Sequence, residues 1–217
     1  MMTTPNFNRL ARIYRWMEFF SFGPWLMRCR CAFLNECLTS RYALALGDGD
    51  GRFTARLLRE NPAILIDAVD TSPAMLKALS SRAKTHAARI RTFQSDARSW
   101  LPANLPYDLI ITHFFLDCFS TDEVKALAST LGNAVSPGCL WIISEFAIPE
   151  DRFGRLVAQP VVWTLYRAFG WLTGLQVRTL SDHHFALLQA GFTLEKHRRL
   201  LSGLLISEVW SAPSQES

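Results

Sequence analysis

Three glycines alternate with two aspartates in one short loop, Gly47-Asp48-Gly49-Asp50-Gly51, directly after the apolar run 42–46. Such loops let a backbone approach a bound nucleotide closely. A dinucleotide loop requires the spacing Gly-x-Gly-x-x-Gly, and neither register fits, because the third glycine position is Arg52 or Thr54. Two carboxylates would also repel a pyrophosphate, whereas they would attract a ligand with an ammonium and a sulfonium group. The loop therefore favours a nucleotide-like cofactor that carries positive charge.

Two further aspartates follow strand-like runs. Asp70 comes after the run 64–69, 19 residues beyond Gly51, where a carboxylate can accept hydrogen bonds from both hydroxyls of a ribose. Asp96 follows the run 90–94 and could accept a hydrogen bond from the exocyclic amine of adenine. Each aspartate alone is more typical of a helix cap. Together with the glycine loop, the two aspartates predict an adenosine site.

The elements that must position these residues alternate from residue 41 onward between strand-like apolar runs and helical patterns, which predicts a doubly wound α/β sheet. Ligands bind such sheets at the carboxyl ends of the strands, here after Leu46, Val69, Gln94 and Thr112, which we call the ligand edge. The connection Ser202-Gly203 predicts a final hairpin and an antiparallel edge strand. Further strands are expected at 140–144, 193–200 and 204–210. Helices are expected at 52–60, after Thr71-Ser72-Pro73, at 121–135, at 153–172 and at 182–190, and the helix at 153–172 is expected to bend at Pro160.

Five segments occur in the order and spacing of class I S-adenosylmethionine-dependent methyltransferases, and the resemblance covers residues 41–210. They are Ala43 to Gly51, Val69 to Leu76, Ser95-Asp96-Ala97, Tyr107 to Ile110, and Ser136-Pro137-Gly138. The resemblance implies a Rossmann-like sheet of seven strands with the last one antiparallel, and S-adenosylmethionine as cofactor. It implies that the loop surrounds the methionine moiety, that Asp70 binds the ribose, and that Asp96 binds the adenine amine. The implied cofactor-binding residues are Gly47, Asp48, Gly49, Gly51, Asp70, Thr71, Met75, Asp96, Ala97 and His113.

One position departs from the family pattern. The family usually has an acidic residue two positions before the first glycine, and here that position is Ala45. Asp48 is the candidate to replace it as the partner of the cofactor's amino group. The segment Phe7 to Tyr14 also resembles the N-terminal lid of quinone C-methyltransferases.

The resemblance also directs attention to the segment after the fourth strand, which lies between cofactor and acceptor in this family. His113 and Asp117 are therefore the candidate catalytic residues, and an imidazole could remove a proton from a hydroxyl or an acidic carbon. The alternatives are that His113 hydrogen-bonds the backbone or the cofactor, and that Asp117 caps a helix. The predicted acceptor pocket is apolar and aromatic, with candidate residues Tyr14, Phe114, Phe115, Trp163, Tyr166 and His183.

Size and composition fit a single domain of 217 residues, divided into a helical lid (1–40), a cofactor-binding core (41–150), a helical cap insertion (151–180), and a last helix with an edge hairpin (181–217).

The 23 basic and 19 acidic residues are scattered, so nucleic acid is not an expected partner. Five cysteines without a secretory signal indicate a reducing cytoplasm, and they form no metal-binding pattern, so no metal is expected.

The most apolar segment, Trp16 to Met27, is interrupted by Glu18 and Pro24 and is shorter than a membrane span, although it could touch a membrane surface.

The expected function is methylation of oxygen or carbon on a small, largely apolar acceptor. The alternative is a binding or membrane-surface module with the same fold and no catalysis. The sequence pattern does not indicate an oligomeric state.

Overall fold

The computed structural model describes residues 24–100, 107–151, 154–164 and 180–213, which form one seven-stranded sheet with helices on both faces. The strands are β1 (Tyr42–Leu46), β2 (Leu65–Asp70), β3 (Ile90–Gln94), β4 (Tyr107–His113), β5 (Val135–Phe146), β6 (Thr193–Leu200) and β7 (Leu205–Ser211). Their order is β3-β2-β1-β4-β5-β7-β6. Strands β1 to β5 are parallel, and β7 is antiparallel to both of its neighbours. The predicted fold class is confirmed, with β6 as the edge strand of the final hairpin.

The helices are α1 (Pro24–Arg30), α2 (Arg52–Glu60), α3 (Pro73–Arg82), α4 (Thr121–Gly132) and α5 (His183–Gln189). Residues 154–164 are also helical. Short 3₁₀ turns occur at Leu34–Cys37, Lys84–Arg89, Leu116–Cys118 and Leu201–Gly203. Among the described residues, no helix has both the length and the apolar character needed to cross a membrane.

Side-chain caps start three of these helices at the places that the sequence indicates. Ser72 accepts a hydrogen bond from the backbone N–H of Met75 at the start of α3. Ser120 and Glu123 form a reciprocal capping box at the start of α4, and Asp182 accepts from the N–H of Phe185 in α5. Each cap provides an acceptor for an N–H that the first helical turn leaves without a partner inside the helix. The caps therefore fix where the chain turns from the sheet into a helix.

One boundary differs from the sequence prediction. Strand β5 begins at Val135 rather than at residue 140, and α4 ends correspondingly earlier, at Gly132. Val135 pairs with Tyr107 of β4 before the register shifts, and Gly138 takes a positive φ of 70°. The predicted turn Ser136-Pro137-Gly138 is thus an irregularity within a longer strand.

The core consists of two apolar layers, one on each face of the sheet. One layer is built around Trp141, Phe192 and Trp210, and the other around Phe53 and Leu57 of α2. In β1, residues 43–46 are buried on both faces, as the uninterrupted apolar run predicts. Because β1 is apolar up to Leu46, the polar residues of this region begin at the ligand edge.

The described part of the predicted lid packs against the sheet beside the ligand edge. The Sγ of Cys29 in α1 donates to the carbonyl of Ile206 at 3.1 Å, and the hydroxyl of Ser144 donates to the carbonyl of Cys29 at 3.3 Å. An apolar cluster forms there, which we call the acceptor-side cluster; it consists of Leu26, Cys29, Phe114, Phe146, Leu200, Leu201 and Leu205. The segment Phe7 to Tyr14 lies outside the described residues, so its resemblance to a quinone methyltransferase lid stays a prediction.

Candidate cofactor and acceptor site

The glycine loop joins β1 to α2, and all three of its glycines have positive φ values of 64°, 59° and 74°. Residues with a Cβ rarely adopt this conformation. A Cβ on Gly47 would overlap the ring of Phe115, and one on Gly51 would overlap the side chain of Leu79. A Cβ on Gly49 would meet no atom of the described residues within 4 Å. Gly47 and Gly51 thus permit close packing, while the backbone at Gly49 is open to the approach of a ligand.

The two aspartates of the loop have different environments. Asp48 is 8% exposed, and its Oδ2 accepts from the N–H of Thr54 at 3.0 Å and from the Thr54 hydroxyl at 2.6 Å. Its Oδ1 is buried and has no hydrogen-bond partner among the described residues. Burial raises the pKa of Asp48, while the Thr54 hydrogen bond and the charge of Arg30 oppose this rise. One oxygen of Asp48 therefore caps α2, and the other remains available to a ligand.

Asp50 is instead engaged in ion pairs. Its Oδ2 lies 3.1 Å from Nε of Arg52 and 2.8 Å from Nη2 of Arg82. The sequence pattern predicts that both loop carboxylates attract a cation. Among the described residues, Asp48 keeps a buried carboxylate oxygen without a hydrogen-bond partner, whereas the charge of Asp50 is shared with two arginines.

Asp70 ends β2 beside the loop, since the N–H of Gly47 donates to the carbonyl of Val69 at 2.9 Å. Its Oδ1 accepts from the N–H of Ser72 at 2.8 Å. Burial raises the pKa of Asp70 to about 6, and the nearby charge of Asp48 adds to the rise. Asp70 therefore lies at the carboxyl end of its strand, as the sequence predicts, and its role in binding a ribose stays a prediction.

Asp96 lies near Asp70, because the N–H of Ser95 donates to the carbonyl of Asp70 at 3.2 Å. The guanidinium of Arg98 binds both oxygens of Asp96, with Nη2 2.6 Å from Oδ2, and holds its pKa below the usual value. Arg98 also pairs with Glu123. The neighbouring candidates Met75 and Ala97 are buried, and Thr71 is half-buried. The partner Arg98 was not foreseen, and the adenine role of Asp96 stays a prediction.

His113 is the last residue of β4, and its side chain is 3% exposed. Its ring packs edge-on against Phe53 with centroids 4.5 Å apart, and neither ring nitrogen has a hydrogen-bond partner among the described residues. Burial and the charge of Arg30 hold the pKa of His113 well below 6.5. Unpartnered polar atoms are rare in protein interiors, so a buried neutral imidazole of this kind indicates a ligand site.

The two phenylalanines that follow His113 diverge. Phe114 has a φ of 54° and joins the acceptor-side cluster, where its ring lies 5.0 Å from that of Phe146. The guanidinium of the buried Arg30 lies over the Phe114 ring at 5.4 Å. Phe115 packs instead over Gly47 and lies 4.9 Å from the ring of Phe119. The positive φ thus separates the two rings, so that Phe114 packs in the apolar cluster with Phe146 and Phe115 packs against the glycine loop.

Asp117 lies in the short turn after these rings. The Sγ of Cys118 donates to its Oδ1 at 3.5 Å, and the charge of Asp117 contributes to raising the pKa of Glu145. The predicted helix cap is provided by Ser120 rather than by Asp117. The catalytic role of Asp117 stays a prediction.

Glu145 is a residue of this region that the sequence pattern did not predict. This residue is 2% exposed near the end of β5, and its Oε1 accepts from the N–H groups of Phe115 and Leu116 at 3.0 and 2.8 Å. The available signal was a single acidic residue within the apolar run Leu140 to Phe146. Acidic residues are almost never fully buried without partners, so an acidic residue in such a run indicates a specific polar contact.

His183 was predicted to contact the acceptor, and the structure shows it in a hydrogen-bonded network. His183 Nε2 lies 3.1 Å from Oε2 of Glu208, and His184 Nε2 lies 2.6 Å from Oε1. The indole N–H of Trp210 donates to Oε2 of Glu208 at 2.9 Å. The ligand atoms of His183, His184 and Glu208 lie within 4.8 Å of one another, but these hydrogen bonds account for their proximity. The network attaches α5 to β7, and the expectation that no metal is bound stays a prediction.

Of the predicted cap insertion (151–180), the structure describes residues 151, 154–164 and 180. Ala158 and Val162 are buried against Leu204, with Phe146 and Leu201 nearby, so this helical segment lies at the ligand edge. Trp163 is 58% exposed and is therefore not enclosed by the described residues. Tyr14 and Tyr166 lie outside the described residues. The acceptor roles of all three aromatic residues stay predictions.

The sequence is similar to a methyltransferase family and to two curated methyltransferases. Residues 43–138 match the family described as methyltransferase domain. The chain is 36% identical over 155 residues to malonyl-[acyl-carrier protein] O-methyltransferase of a Paenibacillus species, and the match covers 69% of this chain and 54% of that protein. It is 32% identical over 126 residues to trans-aconitate 2-methyltransferase of Methylobacterium radiotolerans, with 57% and 46% covered. The chain thus spans about half the length of these curated relatives.

The fold has a close counterpart among solved structures. An O-methyltransferase family protein from Burkholderia thailandensis superposes with a TM-score of 0.69 at 17% identity, over 98% of this chain and 65% of that one. At this identity the likeness concerns the fold alone. Four observations nevertheless point to the same family. They are the strand order, the glycine loop, the aspartate at the end of β2 and the sequence matches. Residues 43–138 thus form a methyltransferase domain, and the sequence matches and the fold together support a class I S-adenosylmethionine-dependent methyltransferase with S-adenosylmethionine as its cofactor.

Proposed function

We propose that this chain transfers the methyl group of S-adenosylmethionine to an oxygen or carbon atom of a small, largely apolar acceptor. The observation that carries the proposal is the His113 imidazole, which is buried at the ligand edge with no partner for either nitrogen among the described residues. The adjacent Phe114 belongs to the acceptor-side cluster. An apolar wall with one convergent polar group is typical of a small-molecule site.

The residues at the ligand edge fit the cofactor in charge and space. When bound, S-adenosylmethionine supplies an electrophilic methyl group on a sulfonium. The open backbone at Gly49 allows close approach, Asp70 can accept from the ribose hydroxyls, and Oδ1 of Asp48 can accept from the ammonium. Methyl transfer is an in-line displacement, so the chain's remaining tasks are to align the acceptor and to exclude water.

The role of Asp48 can be separated from its capping of α2. Replacement of Asp48 by Asn keeps an oxygen that can accept from Thr54 but removes the charge, and we expect it to weaken binding of S-adenosylhomocysteine by about 10- to 100-fold, the range of a charge-assisted hydrogen bond. Replacement by Ala should weaken binding similarly and also destabilise the fold by about 1 kcal/mol through loss of the cap. Calorimetry and thermal unfolding measure the two effects.

The matched control is Asp50→Asn, because Asp50 is already paired with Arg52 and Arg82. We expect this variant to keep its affinity for S-adenosylhomocysteine. Unchanged affinity in Asp48→Asn would show that Asp48 does not take the place of the acidic residue missing at Ala45.

The experiment that tests the proposed function has two stages. Calorimetry with S-adenosylmethionine, S-adenosylhomocysteine and NADH should show binding of the first two ligands only. A panel of phenols, quinones, thiols and dicarboxylic acids is then assayed for S-adenosylhomocysteine formation, and turnover is expected with oxygen or carbon acceptors. Binding of NADH alone would overturn the proposal, and cofactor binding without turnover on any acceptor would favour the binding module.

Arg30 favours a second candidate, in which the acceptor is a carboxylate. Arg30 is buried, lies over the Phe114 ring, and lowers the pKa of His113 by its charge. A permanent guanidinium suits a carboxylate, and an ionised carboxylate needs no base to become a nucleophile. The names of the two curated relatives, a malonyl and an aconitate methyltransferase, refer to acidic acceptors. Preferential turnover of the dicarboxylic acids in the panel would support this candidate.

A further inference from the structure

Glu145 links β5 to the chain that leaves β4. It is the next-to-last residue of β5, paired in register with Ile206 of β7, and its side chain is 2% exposed. A single oxygen, Oε1, accepts from the N–H groups of Phe115 at 3.0 Å and Leu116 at 2.8 Å. One buried carboxyl group therefore provides the acceptor for two successive backbone donors.

The backbone at this point cannot continue the β-ladder. The N–H of Phe114 donates to the carbonyl of Ser144 at 2.7 Å, and Phe114 then adopts a φ of 54°. A positive φ at a residue with a bulky side chain is strained and persists only where surrounding contacts enforce it. The hydrogen bonds from Phe115 and Leu116 to Glu145 immediately follow the strained residue. They are among the contacts that hold the new chain direction, together with the packing of the Phe115 ring over Gly47.

Three groups of the site depend on this chain direction. His113 immediately precedes the strained residue, the Phe115 ring packs over Gly47, and Asp117 lies one residue beyond Leu116. A shift of the backbone at Phe115 would therefore move the contact with the glycine loop as well as the segment beside the acceptor. Misplacement by about 1 Å can reduce an enzymatic rate by about a hundredfold.

We propose that Glu145 is a positioning residue for methyl transfer, which holds the Phe114–Asp117 segment between the glycine loop and the acceptor through its two backbone hydrogen bonds. This inference rests on the proposed function, because its kinetic test requires that the protein transfers a methyl group. The second oxygen of Glu145, Oε2, is buried and has no partner among the described residues.

Burial and the charge of Asp117 raise the pKa of Glu145 well above its usual value, which favours the neutral carboxyl group over the carboxylate. A neutral carboxyl group whose carbonyl oxygen accepts two N–H donors is closely imitated by a glutamine amide. A leucine has a similar size but offers no acceptor. Glutamine should therefore preserve the positioning, and leucine should abolish it.

The test compares Glu145→Gln, Glu145→Leu and the unaltered protein. We expect Glu145→Gln to keep kcat within about threefold, and Glu145→Leu to lower kcat by about 10- to 100-fold with a smaller change in KM. Asp67→Leu is the matched control, because Asp67 is a buried carboxylate on β2 bonded to Arg91 and to the Tyr107 hydroxyl. The control should lose stability and keep its kcat when assayed well below its unfolding temperature.

A second readout does not depend on turnover. Amide hydrogen exchange at Phe115 and Leu116 should accelerate in Glu145→Leu and stay as slow in Glu145→Gln as in the unaltered protein. Unchanged exchange and unchanged kcat in folded Glu145→Leu would overturn the proposal, as would a Gln variant as impaired as the Leu variant. If the unaltered protein turned over no acceptor, the proposed function would fail, while accelerated exchange would still establish the positioning contact.

Discussion

Replacement of His113 by leucine is expected to lower kcat by about a hundredfold or more, while the affinity for S-adenosylhomocysteine stays within about threefold. The imidazole is buried at the end of β4, and both nitrogens are available to hydrogen-bond a ligand because no described residue engages them. Leucine can fill the space against Phe53 without leaving a large cavity. The variant therefore removes the polar group and keeps most of the packing.

The depressed pKa of His113 specifies how the residue can act. A neutral imidazole offers one N–H donor and one acceptor nitrogen, so it can orient a hydroxyl and accept its proton as the methyl group is transferred. Replacement of His113 by Gln keeps a donor and an acceptor but cannot take up a proton. A Gln variant with substantial turnover would indicate orientation, and one as slow as the Leu variant would indicate proton transfer.

Single-turnover kinetics and calorimetry measure rate and affinity separately. His86→Leu serves as the control, since His86 contacts Arg89 in the turn before β3 and lies outside the site. An affinity for S-adenosylhomocysteine that falls as much as kcat in His113→Leu would assign His113 to cofactor binding, the alternative that the sequence left open.

The fold could be predicted from the sequence because its signals are local. The buried run of β1, the cap Ser72-Pro73 and the hairpin at Ser202-Gly203 each specify their own element, and the sheet order follows from the family resemblance. Strand β5 was predicted too short because its first residues pair through an irregular register with β4, which no local pattern encodes.

The site was less predictable because its charges are used by distant residues. Asp50 is paired with Arg82, 32 positions away, and Arg98, the neighbouring partner of Asp96, also binds Glu123, 25 positions further along the chain. Glu145 binds backbone groups 29 and 30 positions earlier in the chain. The sequence could identify which residues reach the ligand edge but not which of their oxygens remain unused.

Asp70 should make cofactor binding depend on pH. Its pKa is raised to about 6, so the carboxyl group is neutral below that pH and ionised above it. Only the ionised form can accept strongly from both ribose hydroxyls. Affinity for S-adenosylhomocysteine should therefore be constant above about pH 7 and fall below pH 6, by about tenfold for each further unit of pH.

Substitution of Asp70 separates this carboxylate from other groups that titrate nearby. We expect Asp70→Ala to weaken binding by about a hundredfold at pH 7.5, the effect of losing two hydrogen bonds to a charged group, and Asp70→Asn to bind weakly at every pH. Asp48 also has a raised pKa and contributes to that of Asp70, so the profile is measured again in Asp48→Asn. A decline below pH 6 that survives in Asp48→Asn and disappears in Asp70→Asn identifies Asp70 as the titrating group. A flat profile in the unaltered protein would remove Asp70 from the ribose site, because a carboxyl group with this pKa cannot bind the hydroxyls equally well in both protonation states.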